Sequence, residues 1–253
     1  MLIDTHCHLN DKMFYDDFNL VLSNAKEDKV GYFVIPGADP RELELAIKLS
    51  EENPEVFFAV GIHPYDLEYG EVTDLKKFIK HHKCVAVGEC GLDYFRLPEV
   101  GKTEYKEYQK EKFIQQIELA LEYQKPLILH IREASSDAYE ILSKYPDAKG
   151  VFHCFNADSI LLKLSSQFYY GIGGVCTFKN AKRLIEILPM IPQDRLVLET
   201  DSPYLTPSPY RGQRNEPKFV KLVAEQVAGI LNLSLQEIEK ITTQNAEKIF
   251  KFR

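Results

Sequence analysis

Short apolar runs recur along the chain, separated by longer stretches in which apolar residues return every three or four positions. The runs at residues 2–6, 32–36, 56–60, 84–89, 126–130, 150–153, 168–171 and 195–199 predict eight β-strands. The stretches between them predict amphipathic helices with recognisable ends. Asp39-Pro40 offers an N-cap and a first-turn proline ahead of Leu43, Ala46, Ile47 and Leu49. Thr103 is the expected cap of a long helix whose apolar face includes Phe113, Ile117, Ala120 and Leu121. Ser234 and Glu237 have the spacing of a capping box, opening a last helix that carries Ile238, Ile241 and Ile249.

Strand and helix alternating in this way predict an α/β fold with a parallel sheet, and eight units favour a closed (β/α)8 barrel of TIM type. Gly171-x-Gly173-Gly174 lacks dinucleotide-binding spacing, and no glycine-rich phosphate loop follows a strand. No linker, low-complexity tract or short repeat interrupts the pattern, so residues 1–253 read as a single domain. A length of 253 residues with 45% hydrophobic content suits one barrel with a substantial core.

Several predicted strands end on a side chain that can hold a metal, and such ends share one face of a barrel. His6 and His8 are an i, i+2 pair, so an extended backbone turns both imidazoles to the same side. Asp4 is placed to orient a ligand or pack inside. Glu89 follows a buried strand between Gly88 and Gly91, where an ionised carboxylate requires a partner or a cation. His130 and His153 each close an apolar run. Asp201 follows the last strand, which brings it beside the first if the barrel closes. Four imidazoles and two carboxylates exceed the needs of one tetrahedral ion. They suit two divalent ions bridged by a carboxylate such as Glu89. Magnesium is the expected ion in use, with manganese or zinc as alternatives. Glu199 reads as a supporting group, and Asp93 and Arg96 lie on the loop after Glu89. His63 is a candidate substrate contact or proton donor. His81 and His82 fall at the opposite end of the barrel, in solvent.

A formal charge of −7 argues against broad electrostatic binding of nucleic acid. It is compatible with an enzyme that grips phosphate through metal ions and local arginines. The five cysteines are odd in number and lack CxxC spacing, so neither a disulfide framework nor a zinc finger is expected. Cys84, Cys90, Cys154 and Cys176 read as packing residues. With no charged-then-apolar leader and no membrane-length run, the expected compartment is reducing and cytoplasmic, with no membrane association. No obligate protein partner is implied.

With those residues in place, the chain resembles the TatD family of metal-dependent deoxyribonucleases, within the amidohydrolase-like barrels. The resemblance rests on Asp4-Thr5-His6-Cys7-His8, Gly88-Glu89-Cys90-Gly91-Leu92-Asp93-Tyr94, His130-Ile131-Arg132-Glu133-Ala134, His153-Cys154-Phe155 and Glu199-Thr200-Asp201-Ser202-Pro203-Tyr204-Leu205. Thr177-Phe178-Lys179-Asn180 and Arg211-Gly212-x-Arg214-Asn215-x-Pro217 add to it. It implies one metal at His6, His8, Glu89 and Asp201, a second at Glu89, His130 and His153, and hydrolysis of DNA phosphodiesters. In that reading Asp201 and Glu89 are catalytic. Arg211 and Arg214 hold flanking phosphates, and Tyr94, Phe95 and Tyr204 stack on unpaired bases. The expected substrate is a strand end or a short single strand of DNA, cut by exonuclease action. The alternative is a metal-dependent deacylase or amidohydrolase acting on an ester or amide such as aminoacyl-tRNA. Asn156-Ala157-Asp158 replaces the small serine-glycine turn common in the family, which bears on the shape of that loop.

Overall fold

The computed structural model describes residues 1–252. One parallel sheet contains eight strands in sequential order. They are β1 (Leu2–Asp4), β2 (Val30–Ile35), β3 (Val56–Val60), β4 (Cys84–Asp93), β5 (Leu127–Arg132), β6 (Gly150–Phe152), β7 (Phe168–Ile172) and β8 (Leu196–Leu198). Every expected strand is present. The largest difference is β4, which runs past Glu89 to Asp93.

The sheet meets itself just beyond β1 and β8. The Thr5 N–H donates to the Leu198 carbonyl at 3.1 Å, that of Asp201 to His6 at 2.9 Å, and that of His8 to Ser202 at 2.7 Å. This seam sets Asp201 against the His6–His8 segment and gives the TIM-type barrel its closure.

The helices are α1 (Phe18–Glu27), α2 (Leu43–Glu52), α3 (Lys102–Glu122), α4 (Ser135–Leu142), α5 (Lys182–Ile187), α6 (Val220–Leu231) and α7 (Leu235–Phe250). Asp39 caps a 3-10 turn ahead of α2 by accepting from the Arg41 N–H at 2.8 Å. The Ser234–Glu237 capping box of α7 is complete. Thr103, in contrast, sits inside the first turn of α3. The cap is Gly101, which takes the left-handed conformation there. The helical ring is less regular than strict alternation predicts. Among the described residues, 3-10 turns alone join β3 to β4 and β6 to β7. Gly61, Pro64 and Gly70 interrupt the first of these connections.

Ile3, Val34, Phe57, Ile128, Val151 and Val197 come from six different strands yet form one apolar cluster, which fills the barrel. Ala246, Ile249 and Phe250 of α7 join that cluster and close the N-terminal end. The opposite mouth, where the strands end, is left to the polar side chains. Among the described residues no helix is long and apolar enough to cross a membrane.

Candidate metal centre

Glu89 reaches the centre of the mouth because β4 is bulged there. Val87 pairs with Leu127 and Cys90 with Leu129, so β4 spends one more residue than β5 over the same distance. The extra residue re-aims the Glu89 side chain. Gly88 and Gly91 hold positive φ values of 149° and 141°. A Cβ on either would clash with the carbonyl oxygen of Ile128 or His130, so close strand approach requires glycine at both.

The two oxygens of Glu89 face different groups. Its Oε2 lies 3.3 Å from His6 Nε2 and 3.8 Å from His8 Nε2. Asp201 Oδ1 completes that side, 3.7 Å from His6 and 3.4 Å from His8. Its Oε1 lies 2.9 Å from both His130 Nδ1 and His153 Nε2. Burial would raise the Glu89 pKa, but the surrounding His153, His6 and His63 rings outweigh it and hold the carboxyl well below its usual range. Asp201, lowered in the same way against its own burial by His8, His6 and His153, is likewise ionised. Asp201 adopts φ 58°, a left-handed conformation uncommon outside glycine, held by its N–H bond to His6.

This donor set fits divalent cations. His6 Nε2 stands 3.2 Å from His8 Nε2, and His130 Nδ1 stands 3.1 Å from His153 Nε2. Paired ring nitrogens facing a carboxylate are an arrangement that a cation accepting several lone pairs satisfies. Triads drawn from His6, His8, Glu89, His153 and Asp201 keep their donor atoms within 4.8 Å of one another. A supporting layer orients the rings. Asp93 Oδ2 accepts from His130 Nε2 at 2.8 Å, which would leave Nδ1, 2.9 Å from Glu89 Oε1, as the nitrogen to offer a lone pair once a cation displaces its proton. Glu199 Oε1 accepts from the Cys154 N–H at 2.6 Å and stands 3.6 Å behind His153 Nδ1.

Residues 3–251 match the family model described as TatD related DNase. The chain belongs to this family. It is a metal-dependent hydrolase, as its relatives are named. YabD of Bacillus subtilis (strain 168), an uncharacterized metal-dependent hydrolase, is 40% identical over 99% of both chains. YcfH of Escherichia coli (strain K12), described in the same words, is 36% identical over 98% of this chain and 95% of its own. Among solved structures, the TatD homolog YjjV from Escherichia coli K12 superposes with a TM-score of 0.86 at 27% identity, covering 99% of this chain and 98% of its own. A TatD family hydrolase from Entamoeba histolytica shares the fold, with a TM-score of 0.88 at 22% identity over 100% of this chain and 98% of its own.

The remaining expected site residues divide sharply. His63 joins the cluster, with Nε2 3.5 Å from Glu89 Oε1. Its Nδ1 accepts the Tyr65 N–H at 3.1 Å, and burial pushes its pKa down to about 3. A neutral ring accepting at Nδ1 carries its proton on Nε2, so His63 presents a donor to the site in this state, although with Glu89 and His130 it also forms a triad whose donor atoms lie within 4.8 Å of one another. Asp4 packs inside the barrel and accepts from the His6 N–H at 3.3 Å, behind the cluster and not in it. Its carboxylate accepts from the Thr200 hydroxyl at 2.6 Å and the Thr200 N–H at 3.0 Å, tying β1 to the loop after β8.

Arg214 is committed elsewhere: it bonds Asp17 through both terminal nitrogens, at 2.9 and 2.7 Å, and also reaches Glu216. Arg211 stacks on Phe178 at 3.9 Å and donates to the Thr206 carbonyl at 3.0 Å. Tyr94 donates to Asp137 at 2.7 Å, and Lys106 lies over its ring, so that face is not open to a base. Tyr204 is exposed and lines the cavity at the mouth. Cys154 also lines that cavity instead of packing in the core. Asn156 pins its unusual loop to β5, donating to the Ile131 carbonyl at 3.1 Å.

Proposed function

We propose that this centre hydrolyses DNA phosphodiester bonds with two divalent ions, taking strand ends or short single strands as an exonuclease. The observation that carries this reading is the division of Glu89, with one oxygen toward His6, His8 and Asp201 and the other toward His130 and His153. Divalent ions held by these two groups would supply Lewis acidity, making water a stronger acid and neutralising phosphoryl charge. Asp201, ionised and at the edge of the cluster, removes a proton from the attacking water. His63 donates its Nε2 proton to a hydrogen bond with a substrate oxygen. Asp93 and Glu199 keep His130 and His153 in register.

The family's description as a DNase supports DNA as the substrate. All five cysteines are free, in keeping with a reducing cytoplasm. The test is hydrolysis of end-labelled single- and double-stranded DNA by metal-reconstituted protein, with products resolved by length. Stepwise shortening of single strands in the presence of Mg²⁺ or Mn²⁺ is expected. Intact DNA alongside hydrolysed aminoacyl-tRNA would overturn the reading.

A further inference from the structure

His130 is not the last functional side chain that β5 delivers to the mouth. Arg132 follows two residues later, and strand alternation turns it to the same side. A cavity of about 630 Å³ opens there, with Arg96, Arg132, His130, His153, Asp201 and Tyr204 in its lining. The Arg132 guanidinium carbon sits 3.7 Å from the centroid of the exposed Phe95 ring, and that of Arg96 5.6 Å from the Tyr65 ring.

The nearby carboxylates are occupied. Asp93 accepts from His130 and from the Phe95 N–H, and Asp137 is bound by Tyr94 and Lys110. Among the described residues, neither Arg96 nor Arg132 has a carboxylate partner. Arg183 on the same cavity differs, standing 3.6 Å from Asp158. Two guanidiniums without a carboxylate partner on one cavity lining offer positive charge to an anion entering it. Stacking on a ring also leaves the guanidinium N–H edges free for bidentate contact.

We propose that Arg132 and Arg96 form a phosphate subsite, holding the phosphate next to the scissile one in a single-stranded DNA end. The proposal rests on the nuclease reading and gives it a substrate requirement: backbone charge beyond the cleaved linkage. It also explains how a chain of net charge −7 holds a polyanion, because the positive charge is local. Phe95 supports the Arg132 guanidinium from one side.

The test is binding of a fluorescent phosphorothioate oligothymidylate, which keeps every backbone charge and resists cleavage, to the Mg²⁺-loaded protein across a salt series. For single strands each phosphate contact contributes about 0.7 to the slope of log affinity against log salt. Arg132→Ala and Arg96→Ala are each expected to lower that slope by about 0.7, with unfolding midpoint and metal content unchanged. Arg132→Lys is expected to keep the slope while weakening binding. An unchanged slope in both alanine variants, or a wild-type protein that binds no oligothymidylate, overturns the subsite. The nuclease reading is judged separately by wild-type cleavage of ordinary DNA. Arginine-dependent binding without cleavage would refute that reading and leave Arg132 and Arg96 as a phosphate-binding site only.

Discussion

Asp93 accepts a hydrogen bond from His130 at 2.8 Å, through the ring nitrogen that faces away from Glu89. The bond fixes which nitrogen carries the proton and so which offers its lone pair to the centre. Asp93→Asn is therefore expected to weaken metal binding about 10–100-fold without unfolding the barrel. Calorimetric titration of the chelated protein with Mn²⁺ measures this. Wild-type affinity in the variant would show that His130 needs no such orientation.

Arg214, expected from the sequence to hold a flanking phosphate, has its guanidinium spent on Asp17, Glu216 and the Met13 carbonyl. These bonds join the segment after β8 to the start of α1. The expectation for Arg214→Ala is a loss of about 1–2 kcal/mol of stability, allowing for partial solvent screening. Oligonucleotide affinity should not change. Denaturant unfolding and the binding assay read the two effects independently, and weakened binding at full stability would restore Arg214 to the substrate.

Asp66 carries a pH signature. Burial, with Asp39 beside it, raises its pKa from 3.8 to about 6, although Arg41 acts the other way. A carboxyl whose folded pKa is raised binds its proton more tightly in the native state. Its favourable contribution is present below about pH 4 and is lost as pH rises through 6. In metal-free protein, Asp66→Asn is expected to gain about 1 kcal/mol at pH 7 relative to wild type, discounted for the side chain's partial exposure, and nothing at pH 4. Thermal unfolding at the two pH values checks the sign. Equal midpoints at pH 7 would rule out the burial cost.

The barrel was legible in the sequence because each strand is a short apolar run, and each candidate ligand sits at or just beyond a run's end. His6, His8, Glu89, His130, His153 and Asp201 needed only that placement to converge. What stayed hidden depends on contacts between distant segments. The Glu89 bulge arises from the register of β4 against β5, which no residue pattern within β4 states. His63 was legible as a candidate substrate contact or proton donor, but its tautomer depends on the Tyr65 N–H. The engagement of Arg214 requires Asp17, remote in sequence and adjacent only in the fold. Arg132 is the instructive miss. The i, i+2 rule that paired His6 with His8 applies equally to His130 and Arg132, and would have placed that arginine at the mouth.

The central claim is a two-ion phosphodiesterase in which Asp201 acts as the base. Its most direct test is single-turnover cleavage of end-labelled single-stranded DNA by wild-type protein and Asp201→Asn at saturating Mg²⁺. Wild type should cleave, stop on chelation and recover when Mg²⁺ is restored. The variant should be slower by about 10²–10⁴-fold. Cleavage by Asp201→Asn at the wild-type rate, or wild-type cleavage that survives chelation, would contradict the account.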